Sequence, residues 1–141
     1  MKGLLIMSKH YVYVAAPWIN KAEALEAQKK FEAAGHVVTS KWITKHTDVD
    51  DPDDPKHYPE LERQAIEDID DINHSDTFVI LNLNKSEGKA TELGYALAYN
   101  DLAGVLAIYL VGEPSINIFY HHPDVGQYKS VEEVIECLKK S

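Results

Sequence analysis

Two carboxylates define the chemistry open to this sequence: Glu92, within KSEGKATELGYALAYN (85–100), and Asp68, within ERQAIEDIDDINHSD (62–76). Glu92 falls near the start of a predicted helix that follows the apolar run TFVILNLN (77–84). An acid in the first turn gains roughly 0.3–1 kcal/mol from the helix dipole, which explains it structurally. The same dipole holds the carboxylate ionised, as a nucleophile requires. Asp68 lies in a helix predicted from Tyr58 to about His74. At about 100° per residue, Leu61, Ala65, Ile69 and Ile72 form a stripe about 80° wide that should pack on the interior. Asp68 falls beside that stripe, whereas Glu67, Asp70 and Asp71 point further towards water. It is the one acid of this helix expected to face inward. An aspartate at that edge can simply reach solvent or a backbone N–H; partly desolvated, it would instead carry a raised pKa and donate a proton near neutrality. Two carboxyls in different environments suit cleavage of a glycosidic bond, one protonating the leaving group and the other attacking the anomeric carbon.

The surroundings of Glu92 lean the same way. Gly88 leaves room for close approach, and Gly94 inside a helix costs about 1 kcal/mol against Ala, so a packing reason is expected. Small residues at 90, 94, 96 and 98 would let this helix sit close to a partner surface.

The elements that must position these residues alternate strand and helix. HYVYVAA (10–16), HVVTS (36–40), DTFVILNLN (76–84) and VLAIYLVG (105–112) read as strands, and NIFYHH (117–122) as a short fifth. Asn20 three residues before Glu23 resembles a capping box, and Ala24, Ala27, Phe31 and Ala34 continue at helical spacing to Gly35. A further helix covers 88–103, and SVEEVIECLKK closes the chain as another. This alternation predicts one α/β domain over 1–141, with 1–9 a flexible N-terminus. The fold expected is a flavodoxin-like open parallel sheet of about five strands with helices on both faces. Ligands in such sheets bind beyond the C-terminal strand ends, here AAPWIN, NLNKSEG and GEPSIN. The segment 41–57, acidic and punctuated by proline, reads as a long exposed loop, which in a compact domain often serves a site. Its Asp48, Asp50 and Asp53 lack the glycine and terminal glutamate of a calcium loop.

Bulk properties narrow the function classes. The chain has 141 residues, 45% of them hydrophobic, and a formal net charge of -9. That charge argues against a nucleic acid polymer or an anionic membrane as partner. No run approaches the ~20 apolar residues of a membrane span. The single cysteine, Cys137, excludes an intrachain disulfide and suits a reducing cytoplasm. Met7 could itself be a start, leaving 1–6 dispensable. His121 and His122 lack metal-ligand spacing elsewhere, no GxGxxG follows any strand, and neither metal nor cofactor is expected.

Four segments in order, YVAAPW, ERQAIEDIDDINHSD, TELGYALA and PSINIF, resemble the nucleoside 2-deoxyribosyltransferase family over about Tyr11 to His122. The resemblance implies transfer of a 2-deoxyribosyl group between nucleobases through a covalent glutamyl intermediate. In related members it implies hydrolysis of 2'-deoxynucleoside 5'-monophosphates. It assigns Glu92 as nucleophile, Tyr13 as the residue orienting it and Asp68 as the acid at the leaving base. Trp18 becomes a pocket wall, and Asn117 a residue lent to a neighbouring subunit's site to hold the sugar's 5' end. The expected partners are therefore a deoxynucleoside or deoxynucleotide, a free nucleobase, and copies of the chain in a dimer or higher oligomer with shared sites. Each residue also has an ordinary alternative: Tyr13 as strand filler, Trp18 as a core cap, Asn117 as a turn residue. Two positions depart from the transferase pattern or its hydrolase variant. Ser86 stands where transferases carry aspartate, as in the nucleotide hydrolases. AAPWIN lacks the serine and arginine that the hydrolases set around a phosphate; Lys21 or the N–H groups near Asn20 are substitutes. Trp18 and Asn117 favour a nucleoside, Ser86 a nucleotide, and the balance leans to the nucleoside.

Overall fold

A computed structural model describes residues 8–47, 49–51 and 53–140. The possible start at Met7 and the acid Asp48 lie outside them. Five parallel strands form one sheet in the order β2-β1-β3-β4-β5: β1 Tyr11–Ala15, β2 Val37–Val38, β3 Thr77–Leu81, β4 Ala107–Val111 and β5 Val125–Tyr128. The principal helices are α1 Lys21–Ala33, α2 Trp42–Lys45, α3 Tyr58–Asn73, α4 Glu87–Ala103 and α5 Val131–Leu138. All of β3 is buried, as is β1 after Tyr11, the pattern of parallel strands covered on both faces. Helices α1 and α5 contact each other, with Lys30 paired to Glu132 at 2.9 Å. On α4, Tyr95 donates its hydroxyl to Asn73 Oδ1 of α3 at 2.5 Å. The expected open sheet with flanking helices is observed.

Three expectations are corrected. NIFYHH is not a strand: Ile118–His121 is a 3-10 turn capped by Asn117, and the fifth strand is Val125–Tyr128. Asn117 Oδ1 accepts from Phe119 N–H, so the local turn bond outcompetes extension. The segment 41–57 is not uniformly exposed. Trp42 and Ile43 of α2 are core residues and His46 is buried, while Trp42 donates its indole N–H to Val14 C=O at 2.8 Å. Two large hydrophobes thus pull the start of an otherwise polar stretch onto the sheet.

The third correction concerns α3. Ala65 is exposed and Leu61 and Ile69 only half-buried, while Asp71 is 2% exposed. Asp71 was expected towards water. Its carboxylate instead pairs with the Lys41 ammonium and accepts the Lys41 backbone N–H at 3.0 Å. The chain entering α2 packs on this side of α3 and supplies partners that make acid burial tolerable. The inward arc is therefore rotated to include Asp68, Asp71 and Ile72.

Candidate functional site

Beyond the C-terminal ends of β1 and β3, where the strand order reverses, the loops after these strands, α2, α3 and α4 enclose a cavity of about 160 Å³. Asp68 and Glu92 both line it, with Trp18, Trp42, Gly88 and Ser86. Tyr13, on β1, is fully buried and stacked on Phe78 with ring centroids 5.6 Å apart. Its hydroxyl donates to Glu92 Oε2 at 2.5 Å, fixing one carboxylate oxygen from beneath. Burial, the neighbouring acids Glu92, Asp68 and Asp71, and that hydrogen bond drive the Tyr13 hydroxyl well above its ordinary pKa, so it stays a proton donor in the bond.

Asp68 reaches the cavity from the side of α3. Its Oδ1 is buried with no hydrogen-bond partner among the described residues, the kind of unsatisfied oxygen that a substrate group can satisfy. Burial pushes Asp68 up to about 6, and burial with the adjoining Asp68 pushes Glu92 up to about 8 against the lowering effect of Tyr13. Two carboxyls this close exchange protons as a unit. Over the interval between those values the pair carries one proton: one member can protonate a leaving group while the other is available as an anion.

Trp18 is 39% exposed and stands at the mouth, 6.1 Å centroid to centroid from Trp42. Lys21, one expected anion partner, is engaged locally: its ammonium donates to His46 C=O at 2.9 Å and lies 4.4 Å from the Trp18 ring centroid. Asn20 Nδ2 bonds Glu23 Oε2 at 2.6 Å without capping the α1 backbone. Ser86 is the N-cap of α4 and accepts from Lys89 N–H. The Gly88 Cα faces open space, with only Ser86 Oγ near an added Cβ, at 3.9 Å. Gly94 and Ala98 are exposed while Ala96 is in the core. The small residues of α4 therefore face both inward and outward, and nothing among the described residues crowds Gly94.

Asn117 does not join the carboxyl pair. It lines a second cavity of about 790 Å³ between the loops after β3 and β4, together with Asn82, Asn84, Glu113, Tyr120 and others. The larger cavity is thus the one without the carboxyl pair. Ser86 and Lys89 line both. His121 Nε2 meets Ser115 C=O at 2.8 Å, and His122 Nδ1 accepts from Asp124 N–H at 3.0 Å, both local turn bonds.

Two residues of the site went unread in the sequence. His46 is buried, its Nε2 2.6 Å from Glu67 Oε1 and 3.9 Å from Asp68 Oδ1. Lys89 is buried between the two cavities. The apolar Trp42-Ile43 pair just before His46 was the available signal for the first; a lysine in a helix's first turns offers none for the second.

No protein-family model matches the chain, and no curated protein does. Among solved structures the fold is similar to that of a CMP N-glycosidase of Clostridium botulinum, at TM-score 0.56 and 20% identity, over 93% of this chain and 99% of that one. The likeness places the chain's architecture with the flavodoxin-like α/β proteins.

Proposed function

We propose that the chain is an enzyme that cleaves the N-glycosidic bond of 2'-deoxynucleosides or their 5'-monophosphates by double displacement at the anomeric carbon. The observation that carries this reading is the convergence in one cavity of Glu92, held by the Tyr13 hydroxyl, and Asp68, with an unsatisfied buried oxygen. In the first step a Glu92 oxygen bonds C1' as the C1'–N bond breaks, and the base nitrogen takes the proton of Asp68. As positive charge develops on the sugar ring it stabilises the Glu92 anion, so the pair's proton settles on Asp68. In the second step an acceptor attacks C1', the ester C–O bond breaks, Glu92 leaves as carboxylate and Asp68 recovers a proton from the acceptor.

An acceptor base gives 2-deoxyribosyl transfer, the reading that the sequence resemblance favours; water gives hydrolysis. The solved CMP N-glycosidase of like fold supports action on an N-glycosidic bond. A pocket that only captures nucleotides would need neither the buried Tyr13–Glu92 bond nor the adjoining acid. The test is denaturing mass spectrometry after incubation with deoxynucleosides and their monophosphates, with and without a second base. Base release and a deoxyribosyl adduct on Glu92 are expected, absent in Glu92→Ala. Base release that persists unchanged in Glu92→Ala would sink the assignment.

We also propose that copies of the chain associate and that Asn117 serves a neighbour's site. Its flanking residues Ile116, Ile118 and Phe119 are all exposed, an apolar loop tip suited to burial against a second copy.

A further inference from the structure

The second cavity has at its floor an uncompensated cation. Lys89 is 1% exposed, in a chain whose formal net charge is -9. Its ammonium donates to Asn82 Oδ1 and Asn84 C=O, each at 2.6 Å, and lies 5.5 Å from the Tyr120 ring centroid. Both acceptors are neutral, and among the described residues no carboxylate pairs with it. Burial alone acts on its pKa, and lowers it. An ammonium has three donors, so one N–H is left over. A buried charge without a counter-ion is costly, and a ligand anion would relieve that cost. The acids that line this cavity, Glu87 and Glu113, are exposed, as is a second cation, Lys85. Of the charged residues that line this cavity, Lys89 alone is buried.

Position on α4 relates this cation to the chemistry. Lys89 precedes Glu92 by three residues, about 4.5 Å along the helix axis and on neighbouring faces. Lys89 and Ser86 form the partition shared by the two cavities. A sugar whose anomeric carbon meets Glu92 in the small cavity can therefore extend its 5' end past Ser86 into the large one. Lys21, bonded to His46 C=O and stacked at Trp18, is not placed to do this.

We infer that Lys89 is the receptor for a 5'-phosphate, seated in the cavity between the loops after β3 and β4, and that it makes the nucleoside 5'-monophosphate the preferred substrate. The inference rests on the N-glycosidic reading of the carboxyl pair and reverses the sequence's lean towards the free nucleoside. The structural alternative is that Lys89 merely clamps the loop 82–86 through Asn82 and Asn84, and the two make different demands on substrates.

The test compares kcat/KM for base release from deoxynucleosides and from the matching 5'-monophosphates, in the wild type and in Lys89→Met. The wild type is expected to favour monophosphates by about 100-fold, the scale of a desolvated charge-assisted contact. Lys89→Met should erase most of that preference, lowering kcat/KM for the monophosphate at least about tenfold more than for the nucleoside. Equal loss on both substrates identifies a loop clamp and overturns the inference, as does a wild type without preference. A second measurement needs no variant and no turnover: calorimetry of the wild type with 2-deoxyribose 5-phosphate against 2-deoxyribose. Binding at least about tenfold tighter for the phosphate is expected, a difference of about 1.4 kcal/mol; equal binding overturns the site. Phosphate preference without base release from any substrate would refute the glycosidic reading and leave the anion site standing. Base release without phosphate preference would do the reverse.

Discussion

Glu92 must lose a proton to attack and Asp68 must keep one to donate, so the reaction belongs to the singly protonated pair. Burial raises both carboxyls, to about 6 for Asp68 and about 8 for Glu92. These values describe the two protonation steps of the pair. The expected kcat/KM profile is a bell, rising with pH near 6 as the pair loses its first proton and falling near 8 as it loses its second. Asp68→Asn should lower kcat/KM by about 10²–10⁴-fold, the usual reach of general acid catalysis, and abolish the bell. A wild-type profile flat from pH 5 to pH 9 would exclude a shared proton from the rate. Among single residues, the meeting of Glu92, Asp68 and Tyr13 was legible because motif order pointed at all three and helical angle at Asp68. His46 and Lys89 were not: both side chains are ordinarily exposed, and only the packing of α2 and of the loop after β3 buries them.

At the scale of elements, the alternation of apolar runs with helical periodicity carried the five-strand sheet, because parallel strands buried on both faces leave dense β-branched segments. What it missed has one cause in two places. On α3 the apolar residues mark the packed face only in part; Ile72 is buried, but Ile66 and Ala65 are exposed while Asp71 is buried. Periodicity assumes that water is the only alternative to the core, and for Asp71 the alternative is a partner from the chain entering α2. Near the C-terminus Asn117 diverts an apolar segment into a capped turn, and the strand forms only after Pro123. The α3 explanation predicts that Asp71→Asn, similar in shape but uncharged, destabilises the fold by about 1–3 kcal/mol, through the lost charge-assisted contacts to Lys41. Urea unfolding at neutral pH measures it. A change under about 0.5 kcal/mol would mean that Asp71 is replaceable and that α3 is oriented by Ile72 alone.

The molecule as a whole must carry the strain of burying the carboxyl pair, and that appears as pH dependence. An ordinary glutamate titrates near 4.5, whereas burial of Glu92 beside Asp68 makes the pair hold its last proton to about 8. Between those values the native state binds the extra proton, so stability falls as pH rises through the window. Glu92→Gln, uncharged throughout, should flatten the decline and melt above the wild type at pH 8; parallel Tm curves would show that Glu92 ionises normally. The remaining whole-molecule question is whether a site is completed by one chain or two. Asn117 lines its own chain's larger cavity, yet it sits on a loop whose Ile116 is 93% exposed. If the loop is buried against a second copy and Asn117 works there, sites lacking Glu92 and sites lacking Asn117 reside on different chains. Two inactive proteins, Glu92→Ala and Asn117→Ala, would then restore each other on mixing: in random dimers half the pairs are mixed, and each mixed pair holds one intact site. Recovery of about a quarter of wild-type activity is expected, once subunits have exchanged. No recovery after confirmed exchange would assign Asn117 to its own chain, beside Lys89.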